Sequence, residues 1–162
     1  MGTIDRHRPS CSAVAIGAAL FALAGVPAAR AEAERIVPPG WETTYENFHY
    51  APAVRAGDTL YLSGVVANLS EDPAQRDMDA AFDGAFRAIA SILAEAGASW
   101  ADVVEMTSFH TDLPEQIVTF SAVKDRWVQA PYPAWTAIDI DRLYPDDGIA
   151  EIRVTAWLGE QD

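Results

Sequence analysis

Pro131-Tyr132-Pro133-Ala134-Trp135-Thr136-Ala137-Ile138, followed after a short turn by Ile149-Ala150-Glu151-Ile152-Arg153-Val154, decides how this chain is read. Ala134 to Ile140 and Ile149 to Leu158 are the last two strands of a sheet, rich in β-branched and aromatic residues and separated by turn residues. In the second run Glu151 and Arg153 alternate onto one face, so a carboxylate and a guanidinium share it.

Upstream of these strands lies a helix. Asp112-Leu113-Pro114-Glu115 is a capping-box variant. It opens a helix with Ile117, Phe120, Lys124 and Trp127 along one side. Asp102 to Thr111 precedes it as a strand, with Val104, Met106 and Ser108 alternating against Val103, Glu105 and Thr107. The longest helix comes earlier. Asp72 is its expected N-cap and Pro73 its first position, where the missing N–H has no partner to lose. Met78, Phe82, Ala85, Ile89, Ile92, Leu93 and Ala96 recur at three- and four-residue spacing as a core stripe, and Gly97 ends it. A first hairpin is expected from a strand at Ala51 to Val54, a turn at Arg55-Ala56-Gly57-Asp58 and a strand at Thr59 to Val66. The order is strand, strand, helix, strand, helix, strand, strand. Two helices against one mixed sheet make a two-layer sandwich of the α+β class.

The N-terminus reads as an address. Arg6 and Arg8 precede an apolar run from Ala13 to Ala29, and Ala29-Arg30-Ala31 fits a small-x-small cleavage site. Residues 1–31 are expected to be a cleavable signal peptide, which implies a periplasmic or secreted protein. The apolar run is too short and Ala-rich for a comfortable membrane span, so no stable membrane association is expected after cleavage. Residues 32–48 form an N-terminal arm. Pro38-Pro39-Gly40 suits neither helix nor central strand, while Trp41, Tyr45 and Phe48 suggest an arm that packs down. Residues 49–162 form the remaining domain.

Charge and cysteine content exclude several functions. The chain of 162 residues carries a formal charge of −13. The leader's Arg6, Arg8 and Arg30 against Asp5 amount to +2, so the rest carries −15. Such a surface repels phosphate backbones, and the one lysine, Lys124, makes no basic patch. Nucleic acid is therefore not expected as a partner. The only cysteine, Cys11, lies in the leader, which removes disulfides, thiolate catalysis and Cys-based metal sites from the mature chain. His49 and His110 with scattered carboxylates have no metal-ligand spacing, so neither a metal nor a cofactor is expected.

Taken in order, Tyr50, Leu62-Ser63-Gly64, Ala96-Gly97-Ala98, Asp102-Val103-Val104, Pro133-Ala134 and Glu151-Ile152 resemble the Rid family, also called YjgF/YER057c/UK114. The resemblance spans about residues 45–158. It implies a chorismate-mutase-like sandwich, a homotrimer, and a small-molecule cleft at each subunit interface. The best-known members hydrolyse 2-imino and enamine acids. By position, Glu151 matches the water-handling Glu, Tyr50 the aromatic that lines the cleft, and Ser63 the small hydroxyl residue. Trp135 stands where such members carry the Arg that grips the substrate carboxylate. Val65 and Ala88 replace a Gln and an Asn common in the family.

Each candidate has two readings. Trp135, with Thr136 beside it, is either a ligand-facing wall or a packing residue at a subunit seam. Glu151 is either the catalytic carboxylate or the structural partner of Arg153. Tyr50 and Ser63 line the cleft rather than act as acid, base or nucleophile. His49, next to Tyr50, is the better cleft histidine, whereas His110 ends a strand and reads as a surface or cap residue. The function these residues imply is a Rid-type small-molecule-binding protein. It is a hydrolase or deaminase of an imine, enamine or related metabolite with altered preference. The alternative is a non-catalytic ligand-binding or protein-shielding trimer.

Overall fold

The computed structural model describes residues 32–159, with Gly2. The expected signal peptide at 1–31 and the chain end at 160–162 lie outside the described residues.

Among the described residues, seven strands form one mixed sheet, and three α-helices accompany it. In chain order these are β1 (Glu34–Ile36), α1 (Glu42–Phe48), β2 (Ala53–Ala56), β3 (Thr59–Leu62), β4 (Val65–Asn68), α2 (Met78–Glu95), β5 (Val103–His110), α3 (Leu113–Trp127), β6 (Ala134–Asp139) and β7 (Gly148–Trp157). The sheet runs β1-β2-β3-β7-β5-β6, and β4 also pairs with β7. Only β5 and β6 run parallel, so the sheet is mixed as expected. The α+β sandwich holds, with β1, β4 and the short helix α1 added.

Those additions correct the reading of the arm. β1 pairs with β2, and α1 carries no buried residue. Trp41 packs against the core, but Tyr45 and Phe48 stay exposed. The expected strand at Thr59 to Val66 is broken at Ser63-Gly64. Tyr61 faces Thr155 before the break and Val65 faces Ile152 after it. Four residues advance against three, so one residue is extra there, as in a bulge. The chain before the long helix also differs from expectation. Asp72 caps a single 3₁₀ turn, Pro73–Gln75, by accepting from the Ala74 N–H. Asp77 caps α2 itself, accepting from the N–H groups of Asp79 and Ala80. At the far end Ala98 N–H reaches back to the Leu93 carbonyl across Gly97, whose φ is +74°. This is the left-handed helix stop that glycine favours.

The core lies between α2, α3 and one face of the sheet. Phe82, Phe86, Ile89, Leu93, Phe120 and Val123 meet Leu60, Met106, Ile152 and Val154, all buried. Phe82 and Phe86 both pack on the Phe120 ring, with centroids 5.2 and 5.6 Å away. Direct pairing sorts the other residues by face. Met106, Ser108 and His110 pair with Val154, Ile152 and Ala150 and look toward the helices. Glu105, Thr107 and Phe109 pair with Thr155, Arg153 and Glu151 and look the other way. Among the described residues, no helix packs on that second face. A register shift between Val103 and Glu105 buries Val103 and leaves Val104 exposed, which reverses their expected alternation with Met106.

Candidate functional site

The open face of the sheet holds Glu151. The residue is half-buried, between Phe109 of β5 and Val66 of β4. Its carboxylate lies over Gly64. A Cβ on that glycine would stand 1.8 Å from Oε1 and 2.6 Å from Cδ. With the carboxylate in this position only a residue without a side chain fits beneath, so the break between β3 and β4 makes the recess it occupies. Glu151 does not pair with Arg153, although both sit on this face; among the described residues its carboxylate has no ion-pair partner.

Ser63 and Tyr50 adjoin this recess through the backbone. The Ser63 hydroxyl donates to the Ala51 carbonyl at 2.8 Å, and the Ser63 N–H donates to the Pro52 carbonyl at 2.9 Å. The hydroxyl therefore holds the Tyr50–Pro52 segment beside the break. Tyr50 is 41% exposed, and His49 is exposed at the end of α1 with φ 58°. Glu151, Ser63 and the backbone next to Tyr50 thus come together at one end of the open face.

Trp135 does not join them. It pairs in register with Met106, so it looks toward the helices, while its neighbour Thr136 looks to the open face opposite Thr107. β5 separates β6 from β7, and Ile138 rather than Trp135 lies level with Glu151 across Phe109; two strand spacings across and three residues along put Trp135 and Glu151 about 14 Å apart, on opposite faces. The indole stacks on Phe120 at 5.7 Å, and the Lys124 ammonium stands 5.3 Å from its centroid. A cavity of ≈ 90 Å³ beside it is lined by Met106, Lys124, Val128, Tyr132 and Pro133. A cation therefore stands beside Trp135, on a helix and over the ring.

Beneath the indole runs a buried polar chain that the strand pattern did not announce. Trp135 Nε1–H donates to Ser108 Oγ at 3.0 Å. Ser108 Oγ meets His110 Nε2 at 2.9 Å, and His110 Nδ1 meets Gln116 Oε1 at 3.1 Å. His110 is fully buried, with Phe120 edge-on at 4.7 Å, and is neither a surface nor a cap residue. Its parity with Met106 and Ser108 on β5 is the signal that could have placed it inside. Burial holds its pKa below the usual histidine value, against opposing effects of Gln116 and Asp139.

The class is a two-layer α+β sandwich, with helices on one face of a mixed sheet and a half-buried carboxylate on the other face. The family is now plain. A family model described as Endoribonuclease L-PSP matches residues 44–158, and the chain belongs to that family, the YjgF family. The RutC family protein YjgH of Escherichia coli (strain K12) is 34% identical over 131 residues, covering 80% of this chain and 98% of that protein. A solved structure of protein YJGH superposes with a TM-score of 0.65 at 31% identity, covering 79% of this chain and 98% of the other. RidA from the Antarctic bacterium Psychrobacter sp. gives a TM-score of 0.58 at 30% identity, covering 67% and 87%.

Proposed function

We propose that the protein is a Rid-type homotrimer that binds a small metabolite in clefts between subunits, with Glu151 acting on an imine, enamine or related group. The observation that carries this reading is the Glu151 carboxylate, half-buried over Gly64 and without an ion-pair partner among the described residues. A carboxylate so held can orient or deprotonate water for attack on a C=N carbon, or hydrogen-bond a ligand N–H. Tyr50, His49, Ser63 and Thr136 supply the walls from the open face or its rim. Trp135 supplies another wall from the edge strand of the neighbouring subunit.

Substrate preference is altered because the cation has changed kind. A guanidinium grips a carboxylate with two parallel bonds, whereas the Lys124 ammonium is a point charge already paired with Asp125. Turnover of 2-iminopropionate is expected to be weak, and a ligand with a neutral or aromatic body is preferred. Glu151→Gln keeps shape but removes proton transfer. It should abolish turnover and spare binding across a panel of imino acids, enamines and aromatic metabolites. Loss of both, or of neither, counts against a catalytic carboxylate.

The second reading is a non-catalytic binding or shielding trimer. The internal partners of Trp135 favour it, since its N–H and ring are already engaged. An RNA substrate is opposed by the charge of −13. Export and cleavage after Ala31 complete the proposal; an intact Met1 terminus in the mass spectrum of the purified protein would sink the cleavage, and absence of the protein from the periplasm and medium would sink export.

A further inference from the structure

We propose that His110, acting through Ser108, is a positioning residue that fixes the Trp135 indole. The argument is one of hydrogen-bond direction. Gln116 Nε2 donates to Thr111 Oγ1 at 3.2 Å, and that hydroxyl donates to the Ile149 carbonyl at 3.2 Å. The Gln116 amide oxygen is then the atom that faces His110, so Nδ1 must carry the proton. In the neutral ring Nε2 is left as an acceptor, and the Ser108 hydroxyl donates to it. The Ser108 lone pairs then accept the indole N–H. Every group is satisfied, and the chain has one direction, from Trp135 to Ser108 to His110 to Gln116 to Thr111 to the backbone.

Ser108 and His110 are both fully buried, so water cannot replace a lost partner. A proton on Nε2 would set two donors against each other, and the Ser108 hydroxyl would have to turn away. Its turning changes the acceptor that the indole N–H meets. The charged groups facing this chain are Asp139, in register with His110 on β6, and Lys124, over the Trp135 ring. Asp139 favours the protonated ring and Lys124 is of the sign that disfavours it. Phe120 closes the space between, touching both rings.

The inference concerns Trp135 geometry, and it bears on ligand binding only through the reading that Trp135 walls the cleft. The test is ¹⁵N NMR of the full protein. His110 is expected as the neutral Nδ1–H tautomer at pH 7.5; the Nε2–H tautomer overturns the proposal. In a pH titration the Trp135 indole N–H resonance should move with His110. In Ser108→Ala, His110 should still titrate while the indole resonance has shifted and no longer follows it. His110→Gln, which offers Ser108 an amide oxygen, should keep the wild-type indole position and abolish its pH dependence. An indole resonance untouched by Ser108→Ala and blind to His110 titration overturns the proposal. Affinity for pyruvate and for benzamide is read in parallel, and Ser108→Ala should weaken whichever binds by about tenfold, the worth of one hydrogen bond. A shifted indole with unchanged affinity supports the positioning role and overturns the cleft reading instead.

Discussion

Replacing Gly64 with Ala should separate site from scaffold. The new Cβ would stand 1.8 Å from Glu151 Oε1, 2.6 Å from Cδ and 2.8 Å from Cγ. Ordinary contact needs about 3.5 Å, so the carboxylate must move by about 1.5 Å or more. The backbone has no objection, since Gly64 is not among the positive-φ glycines. The atoms in the way belong to a side chain that can swing, at a cost of about 0.5–1.5 kcal/mol for a poorer rotamer. The gain from stiffening the unfolded chain offsets about 0.4–1 kcal/mol of that. The melting temperature should therefore fall by about 5 °C at most. A displacement beyond 1 Å costs a positioned group about 100-fold in rate, near 2.7 kcal/mol. Gly64→Ala should thus lose turnover, or ligand affinity, far out of proportion to stability. Gly84→Ala, on an exposed helix position with nothing within 4 Å, is the control and should gain about 0.5–1 kcal/mol. Paired thermal melts and ligand titrations decide the matter. Wild-type function in Gly64→Ala would refute the claim that the Glu151 recess is the site.

Trp135→Arg should raise 2-iminopropionate hydrolysis about thirtyfold or more by restoring a bidentate anchor. It should also lower the melting temperature, because the Phe120 stack is lost and Lys124 gains a like-charged neighbour. Light scattering at micromolar concentration should give three times the chain mass; a monomer would remove the interface cleft. His110 contributes a pH dependence of definite sign. Its pKa is lowered in the fold from 6.5, so stability is unaffected above that pH and declines as pH falls below it, because the unfolded chain binds the proton more readily. Melts from pH 7.5 to 4.5 should therefore fall more steeply for wild type than for His110→Gln.

Local signals were legible in the sequence where local physics decides. The apolar stripe of α2, its end at Gly97, and the capping by Asp112 all stand, because spacing and capping act within a few residues. Asp72 reads as the cap of the long helix yet caps only a 3₁₀ turn, and Asp77 caps the helix itself; both can cap a turn, and only packing selects which turn continues. The arm's α1 was hidden behind Pro38-Pro39-Gly40, though Tyr45 and Phe48 keep helical spacing. The site was less legible. The motif Leu62-Ser63-Gly64 marks Ser63 as a hydroxyl residue and says nothing of Gly64, yet the glycine lies under a carboxylate far along the chain. Strand alternation gives two faces but not which is covered. That is why Trp135 could be read as an open wall while its register with Met106 turns it inward.

That inward turn decides how any shared site must be built. Trp135 and Glu151 sit on opposite faces of one sheet with β5 between them, so one chain cannot bring both to the same small ligand. Either they serve different ends, or Trp135 of one subunit meets Glu151 of the next around the β6 edge. A mixing experiment distinguishes the two. Glu151→Gln and Trp135→Ala subunits are each expected to be inactive as pure assemblies. Each intact shared site in a mixed assembly needs its Trp from the first variant and its Glu from the second. Random exchange of equal amounts after mild unfolding should recover about a quarter of wild-type activity, since each requirement is met half the time. A site contained in one chain recovers nothing, because every subunit carries one lesion. Absence of recovery, with mixed assembly confirmed by mass, would assign Trp135 to the scaffold and leave Glu151, Ser63 and Tyr50 to act without it.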